Sequence, residues 1–532
     1  MLMRKPKSGA AGVVISGLDS ALRGQYNSRL RVCSVQVLAR SGASERHTAG
    51  TLSLVAAARC PAKCPPTPEA ERAACHETGA KRSPTLGILR ISARLPFCHY
   101  FIRFPDENRC MLAKIVKVLT VKSTTPARTL TLVTVIFSLI GAISLHAQTY
   151  KVLHSFGAAG DASNPGSPMV LDQRGNVYGT ALTGGPGGDG IVFELSPNGD
   201  GTWSENILHS FDTVGDNPEE ALALDAEGNL YGATPGAGGG GSYGTIYELS
   251  PGGGTWILNT IHSFTGGTDG ANPGPVIVGN GAQIYGAASN GETRHDGFVF
   301  SFSRLSVTGW TELFLHTFTG GEDGTNPGAP LTLDAAGNLY GITGTGGAGY
   351  GTVYELTPNH NSFGWTKSTL FSFGGLSGTA EPHLILDASG NIYGATFEGG
   401  IYFDGTVYKL SQNQGGTWSQ TVLYNFQGTN QGDGELVGSA LAMDAAGNIY
   451  GTTAQGGSGC NGYGCGIIFK LTPSSGGQWT ETIVYQFTGG NDGWQPSGGL
   501  IQDRAGNLYG TTNYGGAYGN GGTGGVAFEF TP

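Results

Sequence analysis

One short phrase recurs seven times between residues 150 and 532, placing its aromatic at Tyr178, Tyr231, Tyr285, Tyr340, Tyr393, Tyr450 and Tyr509, with spacings of 53, 54, 55, 53, 57 and 59 residues. The first copy reads Asp172-Gln173-Arg174-Gly175-Asn176-Val177-Tyr178-Gly179. A period this constant means one supersecondary unit copied in tandem, so the architecture is constrained before any single residue is interpreted.

Three further phrases accompany it in each period. Upstream lies an apolar stretch ending in Leu-x-Leu-Asp or a relative, as in Leu331-Thr332-Leu333-Asp334. Downstream comes Gly351-Thr352-Val353-Tyr354-Glu355-Leu356, echoed from Gly190, Gly244, Gly297, Gly405, Gly466 and Gly525. Last comes a stretch opening at Trp203, Trp256, Trp310, Trp365, Trp418 or Trp479 and closing eight residues later at a Phe. All four are short, alternating, rich in Val, Ile, Thr, Tyr and Phe, and separated by Gly, Pro, Asn and Ser, which is strand chemistry. The Asp-x-x-Gly-Asn step is turn chemistry, with Asp capping its own backbone.

Four antiparallel strands per unit with no helical pattern between units predict an all-β fold, a seven-bladed β-propeller. Taking the Leu-x-Leu-Asp strand as innermost (A), the later phrases are B, C and outermost D. The repeats begin with a D-like strand, 150–156, and stop after a C-like strand, 526–530. The N-terminal strand is therefore expected to complete the last blade, closing the ring and removing an open edge. A β-solenoid of the calcium-binding β-roll type is the competing fold. It needs a nonapeptide repeat, whereas Thr-Gly-Gly-x-Asp-Gly occurs here at most once per long period.

The chain resembles the GloVer tandem-repeat family of predicted secreted or surface-anchored bacterial proteins. The matching text is His-Ser-Phe-Thr-Gly-Gly-x-Asp-Gly at 262–270, Asp-x-x-Gly-Asn-Leu-Tyr-Gly at 334–341 and Gly-Thr-Val-Tyr-Glu-Leu-Thr-Pro at 351–358, and all phrases recur in order over 150–532. The resemblance implies an extracytoplasmic repeat protein with no established activity. Members often carry a C-terminal sorting anchor, and nothing hydrophobic follows the last repeat before Pro532.

Charge divides the chain. Residues 1–110 hold 17 Lys+Arg against 7 Asp+Glu, 111–147 hold 4 against none, and 148–532 hold 8 against 32. A repeat domain this acidic repels nucleic acid and anionic membranes, so neither is expected as a partner. The segment from Met111 has the parts of a secretory signal: Lys114, Lys117, Lys122 and Arg128, an apolar run over 130–145, then Ala147. A membrane anchor is the alternative, but the first repeat strand follows at once and leaves no linker. Residues 1–110 lack periodicity and read as a non-native or disordered extension upstream of the true initiator, Met111. Six of the eight cysteines lie there, Cys60 and Cys64 resembling half a zinc site without a second half. Cys460 and Cys465, close together in an exported domain, are expected to form a local disulfide.

Most conspicuous residues read as scaffold. His154, His209, His262 and His316 share one position with Phe371, Tyr424 and Tyr485, so the slot wants a flat ring. The turn acids Asp172, Asp225, Asp334, Asp387, Asp444 and Asp503 read as caps. Glu194, Glu248, Glu355 and Glu529 share a slot with Ser301, Lys409 and Lys470, which reads as a solvated strand face. The D–A connections carry Asp269, Asp323, Asp433 and Asp492 before Gly, with Asp161 and Asp216 roughly equivalent. If these ring the channel mouth they could hold Ca²⁺ as a cofactor, although Asp-Gly is also a common turn pair.

Function is expected where the copies differ. The B–C loops diverge most, offering Glu292, Arg294 and His295 in blade three, Phe397, Glu398, Ile401, Tyr402 and Phe403 in blade five, Tyr463 in blade six, and Tyr514 and Tyr518 in blade seven, with Trp494 on an adjacent D–A loop. Aromatics with carboxylates around a concave mouth suit stacking on sugar rings or gripping a peptide. No enzyme motif is present: no Gly-x-Ser-x-Gly elbow with partners, no His-Glu-x-x-His, and no Gly-rich loop leading into a helix. The sequence thus points to a monomeric, secreted, non-catalytic propeller binding polysaccharide or a cell-surface protein. A carbohydrate-active hydrolase or lyase on the same fold is the alternative, with acids such as Glu292, Glu398 or Glu435 as its carboxylates, and a structural surface protein is the third reading. Processing is testable directly: N-terminal sequencing of the exported protein should begin at Gln148, and a start upstream of Met111 contradicts the signal assignment.

Overall fold

Alternating apolar and polar residues in each repeat become four antiparallel strands, the innermost only two residues long, with Ala271–Pro273 and Gly434–Val437 adding a further inner segment in blades three and six, and seven such sheets make a seven-bladed β-propeller. The computed structural model describes residues 148–532 apart from 213–217, 219, 237–242, 282, 292–295, 307–308, 360–363, 376–377, 379, 381–382, 439 and 520–522, together with the backbone of 36–40, 51–58, 87–94 and 99–103. Those four short segments form a sheet of their own in the order 36–40, 99–103, 51–58, 87–94, within a separate unit spanning 1–147. The expected signal, 111–147, and the six N-terminal cysteines lie outside the described residues.

Blade four shows the plan, running from Thr332–Leu333 through Leu339–Thr343 and Thr352–Pro358 to Trp365–Ser372, inside to outside. Blade seven takes Ile501–Gln502, Leu508–Thr512 and Val526–Thr531 from the chain end and Thr149–Ser155 from the chain start. The closing pair is antiparallel, with Ser155 opposite Val526, Val152 opposite Phe528 and Tyr150 opposite Phe530. The terminal exchange expected from the order of the repeats is present.

Within each blade the glycine after the repeat tyrosine faces a C-strand aromatic. Gly341 lies opposite Tyr354, and a Cβ at that glycine would meet the ring's oxygen at 2.4 Å. Phe193 covers Gly179, Tyr408 covers Gly394 and Phe528 covers Gly510 in the same way, and these rings are fully buried. The side chain that glycine lacks is what lets a ring lie flat on the sheet. Between blades, the D-strand tryptophan packs against the tyrosine of the preceding blade, as in Tyr178 with Trp256 at 6.2 Å and Tyr285 with Trp365 at 5.9 Å. Trp203 meets Tyr509 at 6.4 Å, so the contact is also made across the closure between blades seven and one.

The turn acids cap their turns. Asp334 Oδ1 accepts from the backbone N–H groups of Ala336 and Asn338 at 2.9 and 2.8 Å, and its Oδ2 accepts from the Asn338 amide at 2.9 Å. The same Oδ2 lies 3.2 Å from the Tyr340 hydroxyl, which is also 3.1 Å from Glu355. The Glu slot is therefore not the solvated strand face read from the sequence. Glu248 is 1% exposed and accepts from Arg304 at 2.9 Å, while Glu194 and Glu529 each contact the repeat tyrosine of their own blade. Where Lys409 and Lys470 replace the acid, the ammonium lies over the ring of Tyr393 or Tyr450. Sequence reasoning saw charged residues alternating with apolar ones; it did not see that the neighbouring blade covers this face.

The glycine-under-ring arrangement predicts that Gly341→Ala lowers stability by about 1–3 kcal/mol through overpacking against Tyr354. Thermal and urea denaturation should register this loss. An unchanged melting temperature contradicts the packing.

Candidate ligand-binding face

Because strand direction alternates, the D–A and B–C connections emerge on one face of the disc. The segments leading into the innermost strands of blades one to five enclose a cavity of about 380 Å³, with Ser167, Glu220, Asn326 and His383 among its polar lining. His383 occupies a position that holds Pro, Ala or Gly in the other blades: Pro168, Ala221, Pro275, Pro330, Ala440 and Gly499. Burial pushes its pKa down to about 4, and its Nδ1 has no hydrogen-bond partner among the described residues. Sequence reading missed His383, although this break in a repeated slot is the signal that could have found it.

None of the expected loop aromatics lines this cavity. Apart from Trp494 they belong to the B–C loops, and they are mostly exposed. Tyr463 is 69% and Phe403 63% exposed, and Ile401, Tyr402, Phe397 and Tyr518 are exposed as well. Phe403 is held at φ 68°, a conformation that non-glycine residues adopt rarely and aromatics more rarely still. Its neighbour Asp404 has its carboxyl pushed up by burial and then by the charges of Glu435 and Asp433. Tyr243 and Tyr350 are also exposed and were not anticipated. Each stands immediately before the glycine that opens a C strand, Gly244 and Gly351, a pattern readable in the sequence.

Trp494 and Tyr514 behave differently from the exposed set. Their backbones bridge, their rings lie 4.6 Å apart, and both are half-buried, with Trp494 packed on the cluster that includes Cys460 and Cys465. Those two cysteines form the expected disulfide, with Cα atoms 5.2 Å apart. Glu398 is exposed, whereas Glu292, Arg294 and His295 lie outside the described residues.

The D–A aspartates do not gather around the channel. Each falls early in its loop and folds back onto its own D strand. Asp269 and Asp492 accept from the backbone N–H groups of Thr265 and Thr488 at 2.9 Å, Asp323 accepts from that of Thr319 at 2.9 Å, and Asp433 from that of Gln427 at 2.9 Å. Their other contacts are the D-strand rings: His262 to Asp269 at 3.3 Å, His316 to Asp323 at 3.2 Å, Tyr424 to Asp433 at 2.9 Å and Tyr485 to Asp492 at 3.0 Å. The histidine slot also packs as a ring, each His, Phe or Tyr meeting the Phe two residues on edge-to-face, as in His154 with Phe156 at 4.5 Å. The next blade adds one side chain to most of these pairs, two residues after its tryptophan, Glu205, Glu312, Lys367 or Glu481, and to Tyr485 and Asp492 it adds Tyr150.

A family model for the Gloeobacter/Verrucomicrobia repeat matches residues 135–300, 237–463 and 349–532. The chain belongs to that family. No curated protein matches the sequence. Among solved structures the repeat domain is similar to an ancestral GH74 enzyme (TM-score 0.44, 14% identity over 71% of this chain and 51% of that one). It is also similar to the α-L-arabinanase of Penicillium chrysogenum (0.38, 14%, covering 57% and 93%) and to a gluconolactonase of Xanthomonas campestris (0.35, 13%, covering 73% and 90%). This member of the Gloeobacter/Verrucomicrobia repeat family spans about half the length of the GH74 chain. All three TM-scores lie below 0.5, and the functional reading rests on this chain's own residues.

Glu481 gives the face a pH signature. Burial, and then the Asp433 charge, push its carboxyl up to about 7, above the roughly 4.3 of an unfolded chain. The folded protein therefore holds more protons than the unfolded one between these values, so Glu481 contributes stability that is full below about pH 4.3 and lost as pH rises through about 7. Glu481→Gln, the residue blade five carries in this slot as Gln420, should raise the melting temperature at pH 8, with the gap closing below about pH 4.3. A difference independent of pH contradicts this.

Proposed function

We propose that residues 148–532 form a secreted, non-catalytic propeller that binds extracellular polysaccharide through the B–C loop face. The observation that carries this reading is the exposed aromatic set on the loops of blades two, four, five, six and seven: Tyr243, Tyr350, Tyr402, Phe403, Tyr463 and Tyr518. Exposed aromatics recurring on the loops of one face are the kind of surface that partners use. An aromatic face stacks on the C–H face of a sugar ring, and the nearby Asp404 and Glu398 supply acceptors for hydroxyl groups. With 8 basic against 32 acidic residues in the domain, a neutral or cationic glycan suits it and a polyanionic one does not. The family membership and the disulfide are compatible with a place outside the cytoplasm.

Affinity electrophoresis through gels containing neutral, cationic or anionic polysaccharides tests the reading. The protein should be retarded by at least one neutral or cationic glycan, and Tyr402→Ala or Tyr463→Ala should weaken retention about tenfold with the melting temperature unchanged. Retention that survives both substitutions, or binding confined to polyanions, overturns the proposed face. Release of reducing ends from the retained glycan overturns its non-catalytic character.

A further inference from the structure

Where two blades meet at the outer rim, the D–A loop of one blade, its D-strand ring and the D strand of the next form a recurring three-residue slot. At the junction of blades seven and one the slot holds His154, Asp161 and Glu205. His154 Nε2 lies 3.1 Å from Asp161 Oδ2 and 3.6 Å from Glu205 Oε2, and one ligand atom from each residue falls within 4.8 Å of the others. The side chains are 22%, 8% and 16% exposed. From these residues we infer that the slot at the closure of the ring is a binding site for a first-row divalent cation of the zinc class.

Two observations beyond the cluster point to a cation. Glu205 Oε1 is buried and has no hydrogen-bond partner among the described residues, so one oxygen of the acid is left unsatisfied beside Asp161 and His154. The second is an internal comparison. At the junction of blades three and four the same slot holds His316, Asp323 and Lys367, and the Lys367 ammonium stands 2.8 Å from Asp323 Oδ1. Where the chain offers a lysine it fills the slot with its own positive charge. Where it offers Glu205, the two carboxylates face one imidazole and no lysine.

The donor set selects the ion. Zinc bonds of about 2.0–2.2 Å in a tetrahedron place neighbouring ligand atoms roughly 3.3 Å apart, between the two separations to His154 Nε2. One imidazole nitrogen and two carboxylates suit zinc or its first-row neighbours, whereas calcium takes oxygen ligands in larger number. A neutral imidazole and two carboxylates balance a dipositive ion. Asp161 is already oriented, its Oδ1 accepting from the Ala162 backbone N–H at 2.7 Å and leaving Oδ2 for the metal. The related slot at blades two and three, His262, Asp269 and Glu312, has no such three-atom convergence.

Other blades supply the test variants. Glu205→Lys introduces the residue of blade four and His154→Phe the residue of the blade-four D strand, Phe371, so both are substitutions this fold already carries. The full chain and both variants should be dialysed against Zn²⁺ and their bound metal counted, with melting temperatures recorded in Zn²⁺, in Ca²⁺ and in chelator. Each variant should bind one Zn²⁺ fewer than the parent and lose a zinc-dependent rise in melting temperature that Ca²⁺ does not reproduce. Comparing variants with the parent cancels any zinc held by the N-terminal cysteines. In chelator, Glu205→Lys should melt at or above the parent, because the ammonium replaces the ion. Equal zinc stoichiometry in all three chains, or a stabilisation given equally by Ca²⁺, overturns the site.

Discussion

The antiparallel pairing of Thr149–Ser155 with Val526–Thr531 is the contact on which the rest of the molecule depends. A blade whose innermost strand is two residues long has little core of its own, and its faces are covered only by the blades on either side. Seven such units in a line would leave two bare blade faces; joined end to end they leave none, and the edge of Val526–Thr531 is paired. Residues 342 positions apart in sequence meet there, Tyr150 donating its hydroxyl to the Asp492 carbonyl and stacking on Tyr485 at 4.2 Å.

The repeated residues serve that ring and the unrepeated ones are free for other work. Glycine under a buried aromatic, tryptophan against the next tyrosine, and aspartate under the turn recur because each blade must solve the same packing problem. At the outer rim the same geometry tolerates Glu, Lys or Gln beside the D-strand ring, since these side chains cost the blade cores nothing. Variation there and on the B–C loops is where charge, exposure and conformation depart from what packing asks. Phe403, exposed at φ 68°, and His383, half-buried where other blades place Pro, Ala or Gly, are the sharpest departures.

Much of this was legible in the sequence because a tandem repeat supplies its own internal comparison. Six copies of Gly-Asn-x-Tyr-Gly and the variant Gln283-Ile284-Tyr285-Gly286 fixed the blade count, and the order of the terminal strands fixed the closure. The turn role of Asp334 and its counterparts followed from their place before Gly-Asn, and the Cys460–Cys465 bond from their nearness. The burial of Glu248 was not legible, because a strand's alternation tells which residues share a face but not which neighbour covers it. Nor was the turning of Asp269 and Asp323 toward the D-strand histidines, which depends on how the loop leaves the strand. Trp494 looked like a loop aromatic free to bind; its partner Tyr514 lies twenty positions on and across a loop boundary.

Ring closure by the chain start is the central claim, and hydrogen–deuterium exchange of the native protein measures it most directly. Backbone amides of 149–155 should exchange as slowly as those of 365–372, the outermost strand of an interior blade, and those of 526–531 as slowly as those of 352–358, because the two ladders are of the same kind. Complete exchange of 149–155 at the earliest time points, with 352–358 and 365–372 still protected, would contradict it.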